Sequence, residues 1–307
     1  MSMYFVILAV GVVLLVFGAN LLIKTAISLS HRLGISPLLT GITFVSIGTS
    51  LPELIVSVIA LNSNDQGLAI GNIVGSNISN ILLILSIGLF FSPLRIGTQK
   101  TIPSTLFMGL ASVLFALTLG RVPAPFLGMI LLFFAGVFTF WEYRKTVQTY
   151  TAPPANSGGF IYLELLNAVV AIIAVAVGGL LTVFSTQELS VVLGHSTTVL
   201  GLTLTAVATS LPELLATVMS QNLHEEKLAL GNIIGSNIYN LLLIGGILAL
   251  QPINPLPMLE VSFLMISTLL LVFTVVLFKG KNYPIAIGAL QLGVYGVYIL
   301  ILSKHLI

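Results

Sequence analysis

The sequence contains no cysteine and very few charged residues. Without a thiol there can be no disulfide and no thiolate metal site, and the cysteine count carries no information on redox compartment. Charged residues make up only 7% of the 307 residues, whereas an ordinary soluble domain has about a quarter. The formal net charge of +2 comes from scattered cationic residues, so we expect no nucleic-acid partner.

Apolar residues take the place of the missing charges. They make up 57% of the chain, and the mean hydropathy is +1.14. A bilayer core of roughly 30 Å needs about 20 apolar residues per helical span, so the sequence predicts an all-α polytopic membrane protein surrounded by lipid. Ten transmembrane helices are predicted, at 4–23, 37–62, 69–91, 102–120, 124–142, 161–186, 198–221, 228–250, 258–278 and 282–302. The N-terminal stretch lacks a basic segment and a small-residue cleavage site, so we expect a retained first span and no removable signal peptide.

Two pairs of similar segments show that the chain is an internal repeat. At an offset of 160 residues, "GITFVSIGTSLPE" (41–53) and "GLTLTAVATSLPE" (201–213) are identical at seven of thirteen positions. At the same offset, "GNIVGSNISN" (71–80) and "GNIIGSNIYN" (231–240) are identical at eight of ten. A repeat found in this way defines the architecture before any single element does.

The repeat predicts an inverted topology. We divide the chain into a first five-helix repeat at 1–142, a polar linker at 143–160 and a second five-helix repeat at 161–307. Five spans separate equivalent residues, so the halves enter the membrane from opposite sides, as in many secondary transporters with a midplane site between repeats. Nine of the eleven Lys and Arg residues follow odd-numbered spans, which predicts that both termini lie outside. The short loops indicate a prokaryotic plasma (inner) membrane.

Glu53 and Glu213 are unusual among the nine acidic residues because they lie deep inside predicted spans. A carboxylate at that depth costs at least about 2.5–3.5 kcal/mol, so it is expected to face a cavity and to mark a pathway. A protonated glutamate in a helix–helix hydrogen bond would explain one such residue. It explains two copies with identical neighbours less well. The other acids fall at span ends or in loops.

A proline directly precedes each buried glutamate. Pro52 has no N–H and should free the carbonyl of Gly48, and Pro212 should free the carbonyl of Ala208. Irregular backbone at this depth is tolerated where it lines a cavity. Adjacent hydroxyls belong to Thr49, Ser50, Thr209 and Ser210. These groups together predict an oxygen-rich cage.

The second motif predicts a helix with one polar face. Polar side chains recur at every fourth position: Asn72, Ser76 and Asn80 in the first copy, and Asn232, Ser236 and Asn240 in the second. Glycines four residues apart favour close helix packing. We interpret the first asparagine of each copy as a packing residue. The serine and the last asparagine, nearer mid-span, are predicted cation ligands.

This donor set contains carboxylate, amide, hydroxyl and backbone oxygens, which suit Ca²⁺, Mg²⁺ or Na⁺ better than softer metals. Two glutamates neutralise one Ca²⁺, and several Na⁺ could use the same oxygens, whereas Mg²⁺ dehydrates reluctantly. The four histidines all fall at span ends or in loops, which argues against an intramembrane hydrolase. We therefore expect that the protein is not an enzyme and has no cofactor. Ca²⁺ is the ion that this donor set favours.

At these two motifs the sequence resembles the sodium/calcium exchanger family of the calcium/cation antiporter superfamily, in its prokaryotic type without a regulatory domain. The resemblance rests on "GTSLPE" at 48–53, "ATSLPE" at 208–213 and the two "GNIxGSNIxN" segments, and it extends over essentially the whole chain. It implies that Glu53 and Glu213 are the central Ca²⁺ ligands, shared with Na⁺. The other implied ligands are Thr49, Thr209, Ser50, Ser210, Ser76, Ser236, Asn80, Asn240, and the carbonyls of Ser46 and Ala206. Many family members have Asp at the position of Asn240.

The resemblance also implies a mechanism, namely Na⁺/Ca²⁺ antiport by alternating access. The first and sixth spans would slide against a core of the second, third, seventh and eighth. Ca²⁺/H⁺ exchange through the same two glutamates remains an alternative. A cation channel fits less well, because channels usually surround a pore with repeated subunits. Nothing in the sequence points to an obligatory protein partner.

Overall fold

The structure is a computed structural model that describes residues 2–33, 41–62, 64–91, 93–96, 101–119, 121–147, 161–191, 201–222 and 226–304. Across these ranges the chain is helical, with turns and one isolated β-bridge between Arg95 and Asn282. No β-strand occurs in the described part of the chain. The predicted all-α class is confirmed there.

The helices follow one another with short connections. The α-helices are α1 (Ser2–Leu33), α2 (Ser46–Thr49), α3 (Leu51–Asn62), α4 (Gln66–Ser79), α5 (Leu85–Phe91), α6 (Thr101–Thr118), α7 (Phe126–Val147), α8 (Ile161–Val191), α9 (Ala206–Thr209), α10 (Leu211–Asn222), α11 (Glu226–Tyr239), α12 (Gly245–Leu248), α13 (Met258–Leu277) and α14 (Ile285–Lys304). Wider π-helical segments occur at Gly41–Val45, Asn80–Ile84, Gly201–Thr205 and Asn240–Ile244.

Eight continuous helices in the described ranges are long and apolar enough to cross a membrane. They correspond to all the predicted spans except 37–62 and 198–221, which are interrupted at Ser50 and Ser210. The first interrupted pair bends by 45° and would bring the number to nine if counted as one span. Residues 37–40 and 198–200 lie outside the described residues. A total of ten therefore stays a prediction.

Three helices extend five or more residues beyond their predicted ends. α1 continues to Leu33, although its span was predicted to end at residue 23, and α8 continues to Val191. α7 reaches Val147 and so enters the predicted linker. Hydropathy detects only the part of a helix that suits the hydrocarbon, and helical hydrogen bonding can go on beyond it. Span ends predicted from hydropathy are therefore too short here.

The two longest helices, α1 and α8, pack along each other with glycines at the contact. A Cβ on Gly11 would lie 3.0 Å from the carbonyl oxygen of Gly178, and one on Gly18 would lie 2.9 Å from the amide nitrogen of Val175. Later residues of α1 thus meet earlier residues of α8, so the two helices are antiparallel. Only residues without a side chain allow the backbones to approach this closely.

The ends of the α1–α8 pair are joined by side-chain hydrogen bonds. The Tyr4 hydroxyl donates to Glu188 at 3.0 Å, and at the other end the Ser28 hydroxyl donates to Glu164. At the 160-residue offset Tyr4 is equivalent to Glu164, and Ser28 to Glu188. The two contacts are therefore copies of each other with the halves exchanged.

The same exchange of roles appears in the centre of the molecule. A Cβ on Gly75 of α4 would lie 2.7 Å from the carbonyl oxygen of Leu202, and one on Gly235 of α11 would lie 2.5 Å from that of Ile42. A contact that recurs with its partners exchanged is what a two-fold axis produces. The two halves are thus packed against each other around an approximate two-fold axis.

The loops that the structure describes lie on two opposite faces. On one face the Gln66 amide donates to the carbonyl of Pro252 at 3.1 Å, and residues 121–124 line a pocket with residues 251–253. On the other face the Ile96 amide donates to the carbonyl of Lys281 at 2.9 Å. α13 runs from the first face to the second. Loops after the second, fourth and eighth predicted spans thus share one face, and loops after the third and ninth share the other.

Candidate cation site

Each interrupted span places its glutamate at the start of a new helix. α2 ends at Ser50, and Pro52 and Glu53 lie in the first turn of α3. A proline is tolerated there because the N–H it lacks would have no helical partner in any case. The N-terminal end of a helix carries a partial positive charge that stabilises a carboxylate. Glu213 has the same place in the first turn of α10.

The two glutamates are held by serines of the opposite half. The Ser210 hydroxyl donates to Glu53 Oε1 at 3.3 Å, and the Ser50 hydroxyl donates to Glu213 Oε1 at 3.2 Å. Both glutamates are fully buried. The structure therefore brings the two predicted acids together at the contact between the halves.

Threonines beside those serines reach the asparagines of the second motif. The Thr209 hydroxyl donates to Asn72 Oδ1 at 3.1 Å, and the Thr49 hydroxyl donates to Asn232 Oδ1 at 3.3 Å. The side-chain amide of Asn72 also donates to the Glu53 carbonyl at 3.3 Å. These bonds hold neighbouring helices together, which is the role predicted for Asn72 and Asn232.

The predicted serine and carbonyl positions also meet in this region. The Ser76 hydroxyl donates to the carbonyl of Ala206 at 3.4 Å and lies 3.3 Å from the hydroxyl of Thr209. The Ser46 hydroxyl donates to backbone carbonyls, including that of Asn232 at 3.1 Å. Ser236, the equivalent of Ser76, is buried with its hydroxyl unpaired.

Several buried polar atoms of the two glutamates and of the second motif have no hydrogen-bond partner. Oε2 of Glu53 and of Glu213 is unpaired, and so are both polar atoms of the Asn80 and Asn240 amides. An unpaired buried polar atom costs about 1–3 kcal/mol, so such groups are rare unless something polar occupies the space between them. Cations suit the unpaired oxygens, and water suits the amide nitrogens.

Asn80 and Asn240 each begin a π-helical segment, Asn80–Ile84 and Asn240–Ile244. A π-helical turn inside an α-helix is uncommon and frequently occurs at functional sites. In the sequence, the only sign of this widening is an asparagine within an apolar run at each place.

A second pair of buried asparagines was not predicted from the sequence. The side-chain amides of Asn77 and Asn237 donate to the carbonyls of Ile73 at 2.8 Å and Ile233 at 2.7 Å. Both Oδ1 atoms are buried and unpaired. The available signal was that this asparagine is identical in the two copies of the motif.

Two further acids are more buried than their positions at span ends suggested. Glu142 is 1% exposed and accepts a hydrogen bond from Ser104, and Glu260 is 7% exposed and lines a crevice with Gln66 and Gly71. Among the residues described, no group of three or more His, Cys, Asp or Glu side chains could hold a metal. The carboxylates in the cage are therefore those of Glu53 and Glu213, supplemented by neutral oxygens.

Comparison with known proteins assigns the chain to a family. Residues 3–144 and 164–304 match the family model described as sodium/calcium exchanger protein, which includes both copies of both motifs. The chain belongs to the sodium/calcium exchanger family. This exchanger is therefore an integral membrane transporter of the cation/Ca²⁺ antiport class and not an enzyme.

Individual relatives cover most of the exchanger. Inner membrane protein YrbG of Escherichia coli is 34% identical over 79% of this chain and 78% of its own length. The sodium/calcium exchanger MaX1 of Methanosarcina acetivorans is 31% identical over 89% of each chain. A solved structure of the sodium-calcium exchanger NCX_Mj, soaked with Na⁺ and Sr²⁺, has a TM-score of 0.83 at 27% identity, covering 98% of this chain and 99% of that one.

Proposed function

We propose that this exchanger moves Na⁺ in one direction and Ca²⁺ in the other through a single site between its two halves. The observation that carries the proposal is the reciprocal pair of hydrogen bonds from Ser50 to Glu213 and from Ser210 to Glu53. Carboxylate, amide, hydroxyl and backbone oxygens are the ligands that Ca²⁺ takes in proteins. The proposed ligands are Glu53, Glu213, Thr49, Thr209, Ser50, Ser210, Ser76, Ser236, Asn80, Asn240 and the carbonyls of Ser46 and Ala206.

The proposed architecture is two inverted repeats of five spans, at 1–142 and 161–307, joined by a linker at 143–160. Three observations support it: the contacts repeated with exchanged partners, the antiparallel α1 and α8, and the alternation of loops between two faces. The distribution of Lys and Arg supports the proposal that both termini lie outside a prokaryotic plasma membrane.

The contacts of α1 and α8 with the interrupted spans support alternating access. A Cβ on Gly179 of α8 would lie 2.5 Å from Cγ of Pro52, and one on Gly48 would lie 3.2 Å from Leu22 of α1 and 3.5 Å from Ile172 of α8. The pair therefore packs directly on the helix break that holds Glu53. Sliding of α1 and α8 past this break would expose the cage first to one side and then to the other. Na⁺ entering down its gradient would expel Ca²⁺.

Reconstitution into liposomes tests the exchange. Na⁺-loaded vesicles are diluted into Na⁺-free medium with radioactive Ca²⁺, and an ionophore collapses any proton gradient. We expect saturable Ca²⁺ uptake that requires internal Na⁺ and is lost in the Glu53→Gln variant. Uptake driven by a pH gradient alone would show Ca²⁺/H⁺ exchange. Flux without any counter-ion would show a channel, and either result would refute the proposal.

A further inference from the structure

A set of hydrogen bonds joins the backbone of Glu53 to the opposite half. The side-chain amide of Asn72 donates to the Glu53 carbonyl at 3.3 Å and to the Ser57 hydroxyl at 3.0 Å. Its amide oxygen accepts the hydroxyl of Thr209 at 3.1 Å. Asn72 therefore fastens α3, which begins with Glu53, to α9 of the second half. We call Ser57, Asn72 and the Glu53 carbonyl the first clasp.

The equivalent residues of the second half form only part of this arrangement. Asn232 accepts the Thr49 hydroxyl at 3.3 Å, so its bond to the opposite half is present. Its amide nitrogen has no hydrogen-bond partner among the described residues, and neither has the hydroxyl of Thr217, the counterpart of Ser57. Both side chains are fully buried. The second clasp, formed by Thr217, Asn232 and the Glu213 carbonyl, is therefore open.

The residue types do not explain the difference between the clasps. Thr217 carries a hydroxyl as Ser57 does, and the asparagine is the same in both halves. Leaving two buried polar groups unpaired is unfavourable when they could bond each other. The sequence thus allows either clasp to close, and the structure has one closed and one open. The two halves differ in conformation.

The inverted repeat gives this difference a direction. The halves pack around an approximate two-fold axis, so an exchange of their conformations turns a cage that opens to one side into a cage that opens to the other. In the exchanged state the second clasp is closed and the first is open. Each state then has one closed clasp of its own.

We propose that Ser57 and Thr217 are positioning residues whose clasps close in alternation, so that the closed clasp determines which side of the membrane the cage faces. Each acts through the asparagine of its own half on the backbone of its glutamate, and neither is among the proposed cation ligands. The inference rests on the proposed alternating access and adds the bonds that hold each of its two states.

Removing one hydroxyl should favour the state in which that clasp is open. Ser57→Ala weakens the first clasp, and Thr217→Val removes the hydroxyl of the second while keeping the branched shape of the side chain. A buried hydrogen bond changes an equilibrium by about fivefold. We therefore expect each variant to change the ratio of the two states about fivefold, in opposite directions.

The measurement compares the apparent Ca²⁺ affinity at the two faces of the membrane. Na⁺-dependent Ca²⁺ uptake is followed in right-side-out and in everted vesicles that contain the exchanger, and the half-saturating Ca²⁺ concentration is determined in each. We expect Ser57→Ala to change the ratio of the two concentrations about fivefold, and Thr217→Val to change it by a similar factor the other way. A general weakening of the site would raise both concentrations together and leave their ratio unchanged.

The matched controls exchange the two residue types. Ser57→Thr and Thr217→Ser keep the hydroxyl, so both should retain the wild-type ratio. If Ser57→Ala does not fold, Thr217→Val decides alone, because the Thr217 hydroxyl has no partner among the described residues and its loss leaves this state intact. Unchanged ratios, or shifts in the same direction, would overturn the inference and leave the proposed function standing. Absence of Na⁺-dependent uptake by the wild type would refute the proposed function itself.

Discussion

At the scale of single residues, each carboxylate of the cage depends on a hydroxyl from the opposite half. Ser210 donates to Glu53, and Ser50 donates to Glu213. Such a bond both orients the carboxylate and binds the halves together around the ion. Hydrogen bonds to charged groups contribute about 1.5–3 kcal/mol, so the loss of one is measurable as a change in ion affinity.

Removing one of these hydroxyls should weaken Ca²⁺ binding. For Ser210→Ala we expect the Kd for Ca²⁺ to rise about tenfold or more in isothermal titration, because about 1.5–3 kcal/mol of hydrogen bonding to Glu53 is lost. Ser262→Ala serves as the control, since this exposed hydroxyl bonds only the carbonyl of Met258 in its own helix. Equal affinities in the two variants would mean that Ser210 does not orient the ligand.

Neutralising either glutamate should remove Ca²⁺ binding altogether. Glu53→Gln or Glu213→Gln keeps the side-chain size but leaves a dication with one carboxylate in a low-dielectric site, where each charge counts for several kcal/mol. We expect the heat of Ca²⁺ binding to vanish in titrations that readily detect the wild type. Glu188→Gln, at the end of α8 and bonded to Tyr4, should bind as the wild type does. Retained binding in both cage variants would exclude these residues as central ligands.

At the scale of helices, sequence reasoning worked where a single residue type has a strong physical consequence. Buried glutamates, prolines and small-residue stripes all mark features that the structure contains, because each is costly or restrictive inside a membrane. Pro52 was expected to open the backbone from Gly48 onward, and the break lies at Ser50, between these two residues. The π-helical turns at Asn80 and Asn240 were not predicted, because their backbone widening depends on packing against other helices and leaves no residue pattern.

Close helix packing at Gly75 gives a prediction about stability. A methyl group there would lie 2.7 Å from both the Leu202 carbonyl oxygen and the Cβ of Ala206, so α4 must move away from the opposite half. We expect Gly75→Ala to lower the melting temperature in detergent by several degrees, since overpacking typically costs about 1–3 kcal/mol. Gly296→Ala is the control, because no atom lies within 4 Å of its added methyl group. Similar melting temperatures for the two variants would contradict the close contact.

At the scale of the whole molecule, the 160-residue offset was the most informative property of the sequence. It predicted that the equivalent motifs of the two halves meet at a shared site between the repeats, because a duplicated chain that pairs with itself tends to do so around a two-fold axis. It could not establish whether the interrupted spans 37–62 and 198–221 cross the membrane fully. Hydropathy does not distinguish a broken span from a re-entrant segment, and the described residues contain eight continuous spanning helices.

Whether the interrupted segment 198–221 crosses the membrane can be decided with single cysteines, because the natural chain has none. Arg121 and Lys281 are both exposed and are equivalent at the 160-residue offset. If both interrupted segments cross the membrane, the two residues lie on opposite sides. If the segment 198–221, which lies between them in the chain, is re-entrant, the two residues lie on the same side. We expect a membrane-impermeant maleimide to label Arg121→Cys in intact cells and Lys281→Cys only after permeabilisation, since cationic loops stay inside. Labelling of both variants from the same side would rule out two inverted five-span repeats, and with them a cage whose halves open to opposite faces in turn.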